Sequence, residues 1–143
     1  MATLCDRATV REGLLHILGA GVTQTSLILP SAPDLDLALL FHEEKHNDLS
    51  GRHTLHVALT HEDGTHIGAA ELIWEAPARE EQQDAAGTPE PSMQLPIVVP
   101  LRGMVINNPG RIHVQASVDG KPVAVVPFIV TKADIPGVTV QMR

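Results

Sequence analysis

Five consecutive residues, His42-Glu43-Glu44-Lys45-His46, match the HExxH pattern of zinc proteases. On a helix, residues four apart share one face, so two imidazoles can grip a zinc ion while the intervening Glu43 activates its water. That chemistry exists only if the segment is helical. The residues around it argue otherwise, because an aliphatic run precedes it and Asn47-Asp48-Leu49-Ser50-Gly51 follows, a string that ends regular structure. The expected setting is therefore a strand end and a loop, with no catalytic residue, no metal ligand and no cofactor site assigned. A metal-dependent hydrolase using His42, Glu43 and His46 is the alternative in a different class.

Histidine is nevertheless concentrated here. Of eight in the chain, His42, His46, His53, His56, His61 and His66 fall within one stretch. Imidazoles on adjacent strands can share a transition metal, and His56, His61 and His66 are the set a hairpin would bring to one side. The competing expectation is a solvated polar face. The lone Cys5 and the nearby His16 lack any partner that would make a nucleophile, so Cys5 reads as a buried thiol. Gly19-Ala20-Gly21 is too short for a dinucleotide loop, and no phosphate-loop or nucleophile-elbow motif occurs.

Composition narrows the classes further. The 143 residues carry 10 Lys+Arg against 17 Asp+Glu, a formal net charge of -7, which opposes binding to nucleic acid or anionic membranes. Aromatic residues are 2 % of the chain, namely Phe41, Trp74 and Phe128, too few for a base-stacking or sugar-stacking surface. Trp74 is the one candidate for such stacking. No apolar run reaches the roughly 20 residues of a membrane-spanning helix. The first residues, MATLCDRATVREG, are broken by charge and do not form a signal peptide, and a single cysteine fits a reducing, cytoplasmic setting.

The elements that must position these residues read as strands. In RIHVQASVDG, Ile112, Val114, Ala116 and Val118 alternate with Arg111, His113, Gln115 and Ser117 before Asp119-Gly120. Period two marks a half-buried strand, and Asp-Gly predicts a type I′ hairpin turn into Lys121 through Val130. Pro122 and Pro127 cannot donate to a ladder, so the returning strand is expected at a sheet edge or with a bulge near Pro127. A second hairpin is expected in HTLHVALTHEDGTHIGAAELIW, turning at Glu62-Asp63-Gly64, and a third around Arg11-Glu12-Gly13. LDLALLFHE and the region MQLPIVVPLRGMVI supply further strands. Residues 75–92 hold five carboxylates against Arg79 and read as an acidic, flexible insertion.

Seven to eight short strands without an amphipathic helix predict an all-β fold: a two-sheet antiparallel β-sandwich, Ig-like or jelly-roll-like. One domain is expected over 1–130, with 131–143 as a C-terminal tail or added edge strand. The order of motifs resembles an uncharacterised bacterial family of small all-β proteins, domain-of-unknown-function family 6941. Leu4-Cys5-Asp6 resembles its opening strand, Gly13 through Gly21 its glycine-ended second strand, Leu59 through Gly64 its acidic turn, and Pro109-Gly110-Arg111 through Asp119-Gly120 its late hairpin. Ala20 and the stretch from Glu75 to Ser92 depart from the pattern. The resemblance implies an all-β fold and brings no activity, cofactor or site residue. The functional expectation is a non-enzymatic binding or structural module that contacts a protein partner or associates with itself, or, as a further alternative, a virion or tail accessory protein. The sequence names no small-molecule ligand.

Overall fold

The computed structural model describes residues 1–80, 87 and 92–134. Nine strands follow one another: β1 Ala2–Arg11, β2 Leu14–Ala20, β3 Gln24–Leu27, β4 Asp36–His42, β5 Gly51–His61, β6 His66–Ala76, β7 Gln94–Pro100, β8 Gly110–Val118 and β9 Lys121–Lys132. They form two sheets, a four-stranded one in the order β2-β1-β4-β7 and a five-stranded one in the order β3-β9-β8-β5-β6. The fold is all-β, as expected.

Three details correct the sequence reading. Among the described residues there are nine strands rather than seven to eight, because the short segment Gln24–Leu27 forms β3. The sheets are also not wholly antiparallel, since β3 runs parallel to β9, with Gln24 opposite Ile129 and Leu27 opposite Lys132. This pairing also resolves the two prolines of β9. β3 covers only Ile129 to Lys132, so Pro122 and Pro127 lie where one edge of β9 is open and no donor is missed. The register irregularity falls opposite Ala116 and Ser117, beside Pro122, not at Pro127. Finally, Glu75 and Ala76 complete β6 and Thr131 and Lys132 complete β9, so neither the 75–92 insertion nor the 131–143 tail begins where charge or proline content placed it. The insertion residues 81–86 and 88–91, and the tail residues 135–143, lie outside the described residues.

The hairpins form as their turns dictate. Asp119 and Gly120 both take positive φ, 51° and 82°, the backbone of a type I′ turn that matches strand twist. Glu12 and Gly13 do the same at 53° and 74° between β1 and β2. One core draws on both sheets: Leu4, Leu37, Leu39 and Val99 from the first, Leu55, Val57, Leu59, Ile112, Val114 and Phe128 from the second. Every second residue of β5 and β8 points into it. Burying each of these large side chains stabilises the fold by roughly 1.5–3 kcal/mol.

A smaller cluster sits on the other face of the four-stranded sheet. Cys5, Ala8 and Ala38 are buried there beneath Leu15, Ile17 and Val98. β4 pairs with β1 only as far as Cys5, while β2 pairs with β1 out to Arg11. Among the described residues the end of the β1–β2 hairpin therefore has no strand beside it, and it forms an arm whose inner side chains cap Cys5.

Candidate functional site

The HEEKH residues are not on a helix. His42 ends β4, and Glu43 through Ser50 form the connection to β5. Glu43 is buried, and its Oε1 accepts from the Met93 amide at 2.8 Å and from the Arg79 guanidinium. The Met93 amide, then Arg79, hold its carboxyl below the usual carboxylate range against the opposing effect of burial. His46 Nε2 meets the Arg79 carbonyl at 2.6 Å, and Asn47 exchanges two bonds with the same backbone, donating to its carbonyl at 3.0 Å and accepting from its amide at 2.9 Å. The residues of the zinc-protease pattern thus clasp Arg79 and Met93, which flank residues 80–92. His42 stands apart, accepting from Gln94 Nε2 at 3.2 Å on the rim of an open cleft of about 540 Å³ lined also by Phe41, Glu44 and Val123.

A second cluster resembles a catalytic pair in its distances alone. His53 Nδ1 lies 2.7 Å from Asp119 Oδ2, and its Nε2 lies 2.7 Å from the Ser50 carbonyl. Both ring nitrogens face acceptors, so both bonds form together only when the ring carries two protons. The Asp119 contact chiefly, aided by the Ser50 carbonyl and opposed by burial, raises the His53 pKa from 6.5. Asp119 in turn is held low by the Thr54 amide and then by His53. With each nitrogen occupied, His53 has no lone pair free to act as a base; it pins the β8–β9 turn to the start of β5. Trp74 stacks on it at 5.0 Å, lies 5.6 Å from Phe41, and donates its Nε1 proton to the Leu49 carbonyl at 3.1 Å. Trp74 is therefore a packing residue at this end of the molecule.

The other histidines do not converge. His56 faces Glu71 across the β5–β6 pair at 3.4 Å, and His61 and His66 flank the turn. Among the described residues no group of three or more His, Cys, Asp or Glu side chains is placed to hold a metal ion. Cys5 is buried with its thiol toward the Asp36 carbonyl, and burial first, then the nearby Asp36 and Asp6, push its pKa up.

Charge does shape the β1–β2 arm. Asp36, also buried, accepts the Ala8 amide at 2.8 Å on Oδ2 and the Arg102 guanidinium at 2.5 Å on Oδ1. Arg102 reaches Asp34 at 2.7 Å, and Arg7 reaches the same carboxylate at 3.1 Å. Arg7 and then Arg102 hold Asp34 below its usual range. A side chain thus takes over from the backbone ladder at the first residue of β4, beside the arm that lays Leu15 and Ile17 over Cys5. Spacing alone did not identify Arg79 and Arg102, because each finds its carboxylate more than 30 residues away in sequence.

The alternate side chains of β2 have no such cover. Leu14 is 63 % and Leu18 68 % exposed, with His16 exposed between them. Among the described residues β2 is also a sheet edge, paired on one side only. The other edges are defended in ways natural sheets use: β7 carries Pro96 and Pro100, β3 is four residues long, and β6 presents Glu71 and Glu75. β2 has no proline and no Asp, Glu, Lys or Arg. Apolar residues at both parities in LLHIL were the sequence signal, since a strand with one buried face needs only one.

Among the described residues no helix is long and apolar enough to cross a membrane. The model of a family of unknown function, DUF6941, matches residues 1–131. No curated protein matches the chain. Among solved structures, a Pseudomonas fluorescens alkylpurine DNA glycosylase, AlkC, bound to DNA containing an abasic site analog, superposes with a TM-score of 0.40 at 14 % identity. That superposition covers 90 % of this chain and 30 % of the other, so the chain spans less than a third of that protein. A fit this loose assigns neither fold family nor activity.

Proposed function

The chain belongs to DUF6941, a family of unknown function, and we propose that it is a non-enzymatic module, a β-sandwich over residues 1–130, that makes protein–protein contacts through an exposed strand edge. The observation that carries this reading is β2, a charge-free edge strand with Leu14 and Leu18 in solvent. Edge strands bind by continuing the sheet: backbone groups supply affinity and alternate side chains supply selectivity. Supporting it, the side chains with the strongest catalytic profile are tied into loop contacts, Glu43 through Oε1 and His53 through both ring nitrogens, while Glu43 Oε2 is buried without a partner among the described residues. Low cysteine content makes the cytoplasm the compartment proposed.

The test is a photo-crosslinking amino acid placed at Leu18, and separately at Lys121, the first residue of β9 after the β8–β9 turn, in the cell that makes the protein. The expected result is a protein adduct of higher mass from position 18 and none from position 121. A folded protein that yields no protein adduct at position 18 would refute the reading.

A further inference from the structure

Building on that reading, we infer that the partner of β2 is the β2 strand of a second copy of this chain, paired antiparallel about His16. The strand and its flanks, Gly13-Leu14-Leu15-His16-Ile17-Leu18-Gly19, are close to a palindrome. Turned end for end about a two-fold axis through His16, Leu14 lies opposite Leu18 of the second copy, Leu15 opposite Ile17, and His16 opposite itself. Glycine meets glycine at both ends.

Side-chain orientation agrees with this register. Leu15 and Ile17 already pack inward on Cys5, Ala8 and Ala38, so Leu14, His16 and Leu18 stay on the free face. Pairing then sets the two most exposed strand leucines against each other twice, once on either side of the axis, where directly opposed side chains are about 5 Å apart. Gly13 and Gly19 both have positive φ, 74° and 67°, and neither carries a side chain to obstruct the approaching strand at the two ends of the paired segment. On β1, the next strand in, Arg7 and Arg11 stand beside Leu18 and Leu14. Arg7 is neutralised by Asp34, and across the four central strands the arginines of the two copies are separated by about three strand spacings, roughly 14 Å, beyond the Debye length at physiological salt. An acidic chain with net charge -7 thus brings its copy together at a segment free of carboxylates. A two-fold contact of this kind closes on itself and leaves no further β2 edge to propagate a fibre.

Sedimentation equilibrium between roughly 10 µM and 1 mM, the range in which a short edge contact associates, tests this directly. The wild-type mass should rise from 15.3 kDa toward twice that value. Leu14→Glu and Leu18→Lys should each weaken association at least about tenfold, because a charge is set against a leucine. The combined Leu14→Glu/Leu18→Lys chain should recover most of it, since this register alone sets the two introduced charges against each other across the axis. A monomer at every concentration, single variants without effect, or a double variant no better than the singles would each overturn the inference. In the first case, an adduct from position 18 with a different protein would leave the module reading standing, and no adduct would remove both.

Discussion

The β1–β2 and β5–β6 hairpins are built from the same sequence grammar and end in opposite situations. Both alternate, both close on short glycine-containing turns, and both are antiparallel throughout. β5 lies between β6 and β8, and Leu55, Val57 and Leu59 are sealed in the common core. The arm formed by β1 and β2 leaves the sheet after Cys5, so one set of its apolar side chains caps a small cluster and the other meets solvent. Alternation thus specifies that a strand has a buried face, while the number of strands on either side decides how much of it is covered.

The largest effect separating the two hairpins should come from truncating their leucines. Leu59→Ala, at a fully buried position, is expected to cost about 2–5 kcal/mol, whereas Leu18→Ala should stay within about 0.5 kcal/mol, both read by urea denaturation of monomeric protein at low concentration. Comparable losses at the two positions would mean that the arm is part of the core.

Next in size is Asp36→Asn, which removes the charge that Arg102 grips and leaves one acceptor oxygen where Ala8 and Arg102 used two. Amide exchange should quicken at least about tenfold in Ala8 and along β2 while β5 and β6 keep their protection. Uniform acceleration would show that the arm does not open on its own.

A smaller effect belongs to the far end of β5. The His53 pKa is raised, so its contribution is complete below 6.5 and is lost as pH rises through the folded-state value; that of Asp119, whose pKa is lowered, is lost on the acid side. Stability should therefore decline from pH 6.5 upward, and His53→Gln should flatten that decline without altering β2 exchange. A variant with the same alkaline slope would assign the slope to another group.

The smallest difference is kinetic. Cys5, capped by Leu15 and Ile17 and held protonated by burial, should react with a thiol reagent far more slowly in the folded protein than in urea, and Ile17→Ala should speed that reaction. Equal rates would place the thiol in solvent.

Much of this architecture was legible in the residues. The strict alternation from Arg111 to Ser117 and the Asp119-Gly120 turn led directly to β8 and β9, because period two and left-handed turn residues are local properties. The helix-free setting of His42 to His46 followed from its flanks. What stayed hidden depended on distance. The parallel pairing of β3 with β9 joins residues about a hundred positions apart, and four residues carry too little pattern to announce it. Glu43 matched the water-activating position of the zinc-protease pattern, and its actual partners Arg79 and Met93 carry no local signal of where they will be. Leu14 and Leu18 were recognisable as strand residues with apolar neighbours at both parities, yet which parity meets solvent became visible only once Leu15 and Ile17 were placed over Cys5.

The Glu43 clasp has a consequence for how this chain can vary. One carboxylate secures both Arg79 and Met93, so the two ends of the intervening stretch are held by the scaffold itself. Adding length between fixed ends raises the closure entropy only logarithmically, by about 0.6 kcal/mol per doubling. The molecule therefore carries a built-in port: sequence can be inserted, deleted or exchanged between the buckled ends while the nine strands keep their register, whereas a change to Glu43 removes one fastening from each end and leaves the His46 and Asn47 bonds to Arg79 and the backbone bond to Met93.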